Sequence, residues 1–269
     1  MKIHLLLSGL LLLIGIGSMA QTGIAASPLK LEFNHQSGTT QSKTVVLMNP
    51  TSRILKASVG IADWNRDSSG NLIFFNAGTL SASCAKYIRV LPATEITLGP
   101  NEKKDITVVL DLPSEIIDSA KNAIVFFTQT NPEPSRLTQD GVSLGVNLTV
   151  RVGIQVFYNP FSATKKSIEI RDFILKNSKD SNYAKIVDLV LRNNGEVETD
   201  GKLGLELVNV TTGEKTILPE LKFYTLPGAV RVLNIPIPAK MPKGKYVLTA
   251  LVDYGPDQEL KIGEVDLTF

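Results

Sequence analysis

The sequence predicts an all-β chain built as two sandwiches in tandem, and three observations carry that prediction. Short runs rich in Val, Ile, Leu, Phe and Thr alternate apolar with polar positions, the period of a strand with one buried face. Clusters of Gly, Pro, Asn and Asp punctuate those runs at roughly the 8 to 12 residue spacing of sandwich folds, and helical periodicity is almost absent. A length of 269 residues suits two domains better than one.

Residues 1 to 20 stand outside that pattern. Lys2 and His4 give a polar start, Leu5 to Ile16 is apolar except at Ser8, Gly9 and Gly15, and Ser18-Met19-Ala20 offers small residues before a cut. This is the form of a secretory signal peptide, with cleavage after Ala20 or as late as Ala25 or Ala26. An uncleaved anchor is the alternative, and the run is shorter than the ~20 residues a span needs. No later segment is long and apolar enough to cross a membrane, so the mature chain is expected in the periplasm without membrane insertion. Without Lys2 the chain carries 27 basic and 26 acidic side chains, a near-neutrality that gives no reason to expect nucleic acid as a partner. The single cysteine, Cys84, excludes an intramolecular disulfide and reads as a small buried hydrophobe.

Residues 27–158 read as the first sandwich. Leu29 to Phe33 alternates, Gly38-Thr39-Thr40 turns, and Lys43 to Met48 runs into Asn49-Pro50. Lys56 to Ile61 follows and ends at Asp63-Trp64, before the turn cluster Asp67 to Asn71. Tyr87 to Val90, Glu95 to Leu98, Asp105 to Leu112 and Ala123 to Thr130 are further strands, each closed by a Pro or Gly-Pro signal. Ser114 to Lys121 is the one helix-like piece and reads as a turn or two within a loop.

The longest pattern is Gly141 to Tyr158, where Val142, Leu144, Val146, Leu148, Val150, Val152, Ile154 and Val156 occupy alternate positions. At ~3.3 Å per residue such a strand would run about 55 Å. A domain of ~120 residues is only about 35 Å across. The strand is therefore expected either to break at Gly145 or Gly153, or to leave part of its apolar face, from Leu144 to Val150, for a partner chain added by β-augmentation. Burying four such side chains is worth roughly 6 to 12 kcal/mol gross. Association opposes this by about 4 to 15 kcal/mol. Backbone pairing or an anchor elsewhere has to help.

Residues 159–166, with Pro160 and no alternation, form the expected linker. In residues 167–269, seven strand candidates follow: Ile168 to Leu175, Ala184 to Leu191, Leu203 to Val208, Lys215 to Leu221, Val230 to Ile235, Lys245 to Val252 and Leu260 to Leu267. Asn193-Asn194-Gly195, Asp200-Gly201, Thr212-Gly213, Pro227-Gly228, Pro242-Lys243-Gly244 and Gly255-Pro256-Asp257 read as the turns between them. Seven strands is the count of an immunoglobulin-like or fibronectin-like sandwich.

Catalytic chemistry has little to work with. The mature chain holds one histidine, His35, in a turn-like stretch, and one cysteine, so neither a nitrogen- and sulfur-ligated metal site nor a triad assembles readily. No glycine-rich phosphate loop stands between a strand and a helix, and no cofactor is expected. Asp63 and Asp67 flank Trp64 as a conceivable acid pair, which a strand end followed by a polar turn explains equally. The expectation is a protein that is not an enzyme.

Several stretches of the first domain give it a resemblance to the PapD-like periplasmic pilus chaperones. Ser27-Pro28 opens the first strand, Tyr87-Ile88-Arg89-Val90 runs to Pro92, Leu98-Gly99-Pro100-Asn101-Glu102 leads into an alternating strand, and Phe126-Phe127-Thr128-Gln129-Thr130 precedes a proline pair. The most specific is the long strand closing on Ile154-Gln155-Val156-Phe157-Tyr158-Asn159-Pro160. The resemblance covers about residues 27 to 160. It implies a chaperone that donates Leu144, Val146, Leu148 and Val150 to an exported pilus or surface-fibre subunit. It also implies two basic residues that fix the subunit's terminal carboxylate. By spacing, those positions fall at Phe33 and Gln155, neither of them basic. Lys30 and Arg151 are the nearest substitutes, Lys30 on the opposite face from Phe33, and Arg151 on the face of Gln155 but roughly 13 Å along the strand. The other readings are a structural or adhesive envelope protein with the long strand internal, and a homodimer paired through residues 144–150.

Overall fold

The computed structural model describes residues 23–34, 38–92, 95–115, 117–132, 134–139 and 142–269; the side chains of 134–139 and 142–147 are not part of that description. The expected signal peptide and His35 lie outside the described residues.

The first sandwich uses β1 (Ala25–Ser27), β2 (Lys30–Asn34), β3 (Thr40–Met48), β4 (Leu55–Arg66), β5 (Leu72–Asn76) and β6 (Ile88–Leu91). It continues with β7 (Ile96–Leu98), β8 (Lys103–Asp111), β9 (Lys121–Gln129), β10 (Pro134–Gln139), β11 (Val142–Asn147) and β12 (Arg151–Asn159). One sheet has the order β1-β3-β8-β6. The other runs β2-β12-β9-β4-β5, with β7 added alongside β4. Alternation aims Val45, Leu47, Ile106, Val108 and Leu110 of the first sheet at Leu31, Phe33, Val125, Phe127, Ile154, Val156 and Tyr158 of the second, which closes the core. Ile24 joins that core from just ahead of β1, and Gly23 presses on Val150 so closely that a Cβ there would stand 2.4 Å from Val150 Cγ2. The stretch Ser114 to Lys121 forms no helix among its described residues, and Lys121 already opens β9.

The second sandwich contains β13 (Ile168–Asn177), β14 (Tyr183–Asn193), β15 (Thr199–Asn209), β16 (Lys215–Thr225), β17 (Val230–Pro238), β18 (Lys245–Asp253) and β19 (Lys261–Thr268). A β13-β14-β17 sheet faces a β16-β15-β18-β19 sheet around Leu189, Leu205, Leu207, Ile235, Leu248 and Val252. The molecule is thus two immunoglobulin-like sandwiches in tandem. All seven strand candidates of this half are present. Asp200-Gly201 is a correction: the pair lies inside β15 rather than in a turn. Gly201 serves close packing, since a Cβ there would stand 2.4 Å from the Asp253 carbonyl oxygen and 2.6 Å from Phe223 Cζ.

The nearly continuous apolar run of β9 follows from burial on both faces. Val125 and Phe127 point into the first core, whereas Ile124 and Phe126 join Trp64 and Phe157 in a second cluster that Leu226 of the second sandwich covers. Beside it, the Ser68 carbonyl at the β4–β5 turn accepts hydrogen bonds from Val232 N and Arg231 Nη1, each at 2.7 Å. The second sandwich therefore covers part of the outer face of the β2-β12-β9-β4-β5 sheet.

Candidate functional site

The long alternating stretch is two strands. It breaks at Leu148–Val150, between β11 and β12, and neither Gly145 nor Gly153 is the break: Gly145 pairs with Arg136 within a β10–β11 hairpin, and Gly153 pairs with Phe126 within the main sheet. At Val150 the carbonyl still accepts from Gln129 N at 2.9 Å. Gln155 N donates in the other direction, to the Leu29 carbonyl, at 2.9 Å. Backbone groups of even-numbered residues in β12 thus face β9, and those of odd-numbered residues face β2. But β2 runs beside Gln155–Asn159 alone. On that side Arg151 and Gly153 have no strand beside them among the described residues, and β11 has β10 as its single described partner.

The four residues expected to form a partner-binding row are divided by this break. Leu144 and Val146 sit on β11, opposite Leu137 and Ser135. Leu148 lies in the connection, with 60% of its surface exposed. Val150 is half-buried, packed on the first core beneath Gly23. Along the even-numbered row Ile154, Val156 and Tyr158 are buried, Val152 and Val150 are half-buried, and Leu148 is exposed.

The register corrects the placement of the basic positions. Gln155 stands beside Lys30, and Phe33 stands beside Tyr158 with its ring buried in the core. The chain therefore does place a cation next to Gln155, on the same face, while the ring of Phe33 lies in the core. Lys30 is already engaged: its ammonium pairs with Glu32, lies 3.2 Å from Glu198 of the second sandwich and 4.9 Å from the Phe157 ring centroid. Burial pulls its pKa down, but the bonds to Glu32 and Glu198 outweigh that and hold it above its ordinary value. Arg151 differs. Its guanidinium stacks 3.4 Å over the centroid of Phe126 and pairs with no carboxylate among the described residues.

Between these cations lies a cleft of about 470 Å³ whose walls include Leu29, Leu72 and Phe74. Phe74 meets Phe126 edge-on, with ring centroids 5.1 Å apart. Gly153 keeps the floor open to those rings, because a Cβ there would stand 2.7 Å from Ile124 Cδ1 and 3.0 Å from Phe126 Cε1. Sequence reasoning missed this wall. The signal was the run Leu72-Ile73-Phe74-Phe75 just after the Asp67–Asn71 turn, which forms the edge strand β5.

The remaining candidates have structural roles. Asp63 is buried and accepts from Leu80 N and Ser83 Oγ, and Asp67 accepts from Asn71 across the β4–β5 turn. Cys84 is buried in the first core, where burial pushes its thiol up to about 12. Among the described residues no three His, Cys, Asp or Glu side chains gather into a cation site.

No protein-family model matches the chain, and no curated protein does. Solved structures similar to it include fimbrial chaperones. The class 5 fimbriae chaperone CfaA has a TM-score of 0.47 at 10% identity, over 90% of this chain and 98% of that one. The E. coli chaperone DraB has a TM-score of 0.47 at 14% identity, over 90% and 98%. The CsuC–CsuE chaperone–tip adhesion subunit pre-assembly complex from the archaic chaperone-usher Csu pili of Acinetobacter baumannii gives 0.48 at 13% identity, over 89% and 97%.

Proposed function

We propose that this chain is a non-enzymatic periplasmic chaperone that binds an extended segment of an exported pilus or surface-fibre subunit. The segment pairs with the open backbone at Arg151 and Gly153 and continues along the β11 edge, where Leu144, Val146, Leu148 and Val150 meet it. One observation carries this reading: an apolar row that is buried in β12 emerges into solvent at Leu148, immediately beside backbone groups that no described strand satisfies. An exposed edge of this kind attracts a further strand. Arg151, which pairs with no carboxylate among the described residues, is the anchor for the segment's terminal carboxylate through a charge-assisted bond. Lys30 serves instead to tie the two sandwiches together through Glu198. The client class rests on the sequence resemblance to PapD-like chaperones.

Native mass spectrometry of the tagged chain isolated from the periplasm of its own host tests the proposal. A 1:1 complex with a smaller exported chain, lost in Leu148→Asp, is the expected result. A bare monomer or homodimer, unchanged when surface-fibre subunits are co-expressed, would leave a structural or adhesive envelope protein as the better account.

A further inference from the structure

We propose that the cleft beside β12 selects among bound segments by side chain, favouring one that carries an aromatic or branched apolar residue where it passes Gly153. The inference rests on the strand-pairing function proposed above and adds to it a preference for one kind of client sequence. A strand laid against Arg151 and Gly153 projects alternate side chains toward the same face as those two residues. Opposite Gly153 it meets no side chain, so its own side chain takes the room between Leu29, Leu72 and Phe74, beside the Arg151 guanidinium that already lies over Phe126. That room is walled by Leu29, Leu72 and Phe74, which keep 56%, 40% and 46% of their surface in water. Three large apolar side chains gathered on one exposed cleft are unusual for a surface that nothing covers. The cleft is also continuous with the open edge: one residue, Gly153, contributes its backbone to the edge and its missing side chain to the cleft. The rim carries two cations, Lys30 and Arg151, the latter without a carboxylate among the described residues, so a basic side chain is rejected and an apolar one accepted.

The test uses the full chain and a short fluorescein-labelled peptide of alternating Thr and Val. Its central residue is varied among Phe, Leu, Ala and Lys, and binding is followed by fluorescence anisotropy. The Phe peptide is expected to bind about tenfold tighter than the Ala peptide, and the Lys peptide more weakly than either. Phe74→Ala and, separately, Leu29→Ser should erase the Phe preference while leaving affinity for the Ala peptide within about twofold. Both residues are exposed enough that neither change threatens the fold. Equal affinity for Phe and Ala peptides, or a preference that survives both variants, overturns the inference. If Leu148→Asp abolishes binding of every peptide while the central residue has no effect, strand pairing stands and side-chain selection falls. If no peptide binds, both fall. A dimer that Phe74→Ala dissociates also overturns the inference, because the cleft would then hold a second copy of the chain.

Discussion

Residues 142–147 and 151–159 carry the same alternation of apolar and polar side chains and meet different surroundings. In β12, Ile154, Val156 and Tyr158 are fully buried beneath the β1-β3-β8-β6 sheet, with β9 on one side and β2 on the other. In β11 the described pairing is with β10 alone, and the Leu148 that follows is exposed. Alternation records which face of a strand is apolar. Whether that face has a second layer over it depends on how far the opposite sheet extends; Val150 still packs on the first core, and Leu148 is exposed.

Substitutions along this stretch sharpen the contrast or break it. Val156→Asp should remove the fold of the first sandwich, at more than about 4 kcal/mol, because a charge enters a packed core. A thermal melt and the reactivity of Cys84 report it together: that thiol, buried and pushed up to about 12, stays unreactive until the core opens. Gly153→Ala should cost about 1 to 3 kcal/mol, since Ile124 and Phe126 occupy the space its Cβ needs. Leu148→Asp should change stability by less than about 0.5 kcal/mol in the same melt. A loss as large as that of Val156→Asp would mean that Leu148 is packed in solution and that the two halves do not differ.

Lys30→Gln is also expected to have a small effect, under about 1 kcal/mol, because its ammonium is substantially exposed and screened. Its sign with pH is definite. Lys30 has a folded pKa above its ordinary 10.5, so its contribution is complete below pH 10.5 and drains away as the pH rises through the folded value. A pH titration of the melting temperature of both proteins, with the difference closing only at strongly alkaline pH, checks it.

Strand positions were legible because each carries its own local period and its own stop signal; every strand of the second sandwich shows this. What the sequence hid depends on pairing between distant segments. Spacing along the sequence puts a basic position at Phe33, but the register of β2 is set by β12, and it brings Lys30 to Gln155. The break at Leu148 was placed at glycines because they interrupt strand patterns, although Gly153 is there to let Ile124 and Phe126 lie against the backbone. β5 escaped notice since an edge strand with four consecutive apolar residues has no alternation to read. Cys84, by contrast, is the buried hydrophobe its isolation suggested.

Ile24 fixes how much of the N-terminal chain the first core needs. It belongs to the first core, and Gly23 beside it holds Val150 at the root of the proposed binding edge. A processing protease that cut after Ala25 or Ala26 would carry away a core side chain and uncover Val150, whereas a cut after Ala20 would leave both intact. The choice of scissile bond would therefore decide how long the proposed binding edge is, and a chain trimmed too far would emerge with one more apolar residue exposed and a weaker body to hold it.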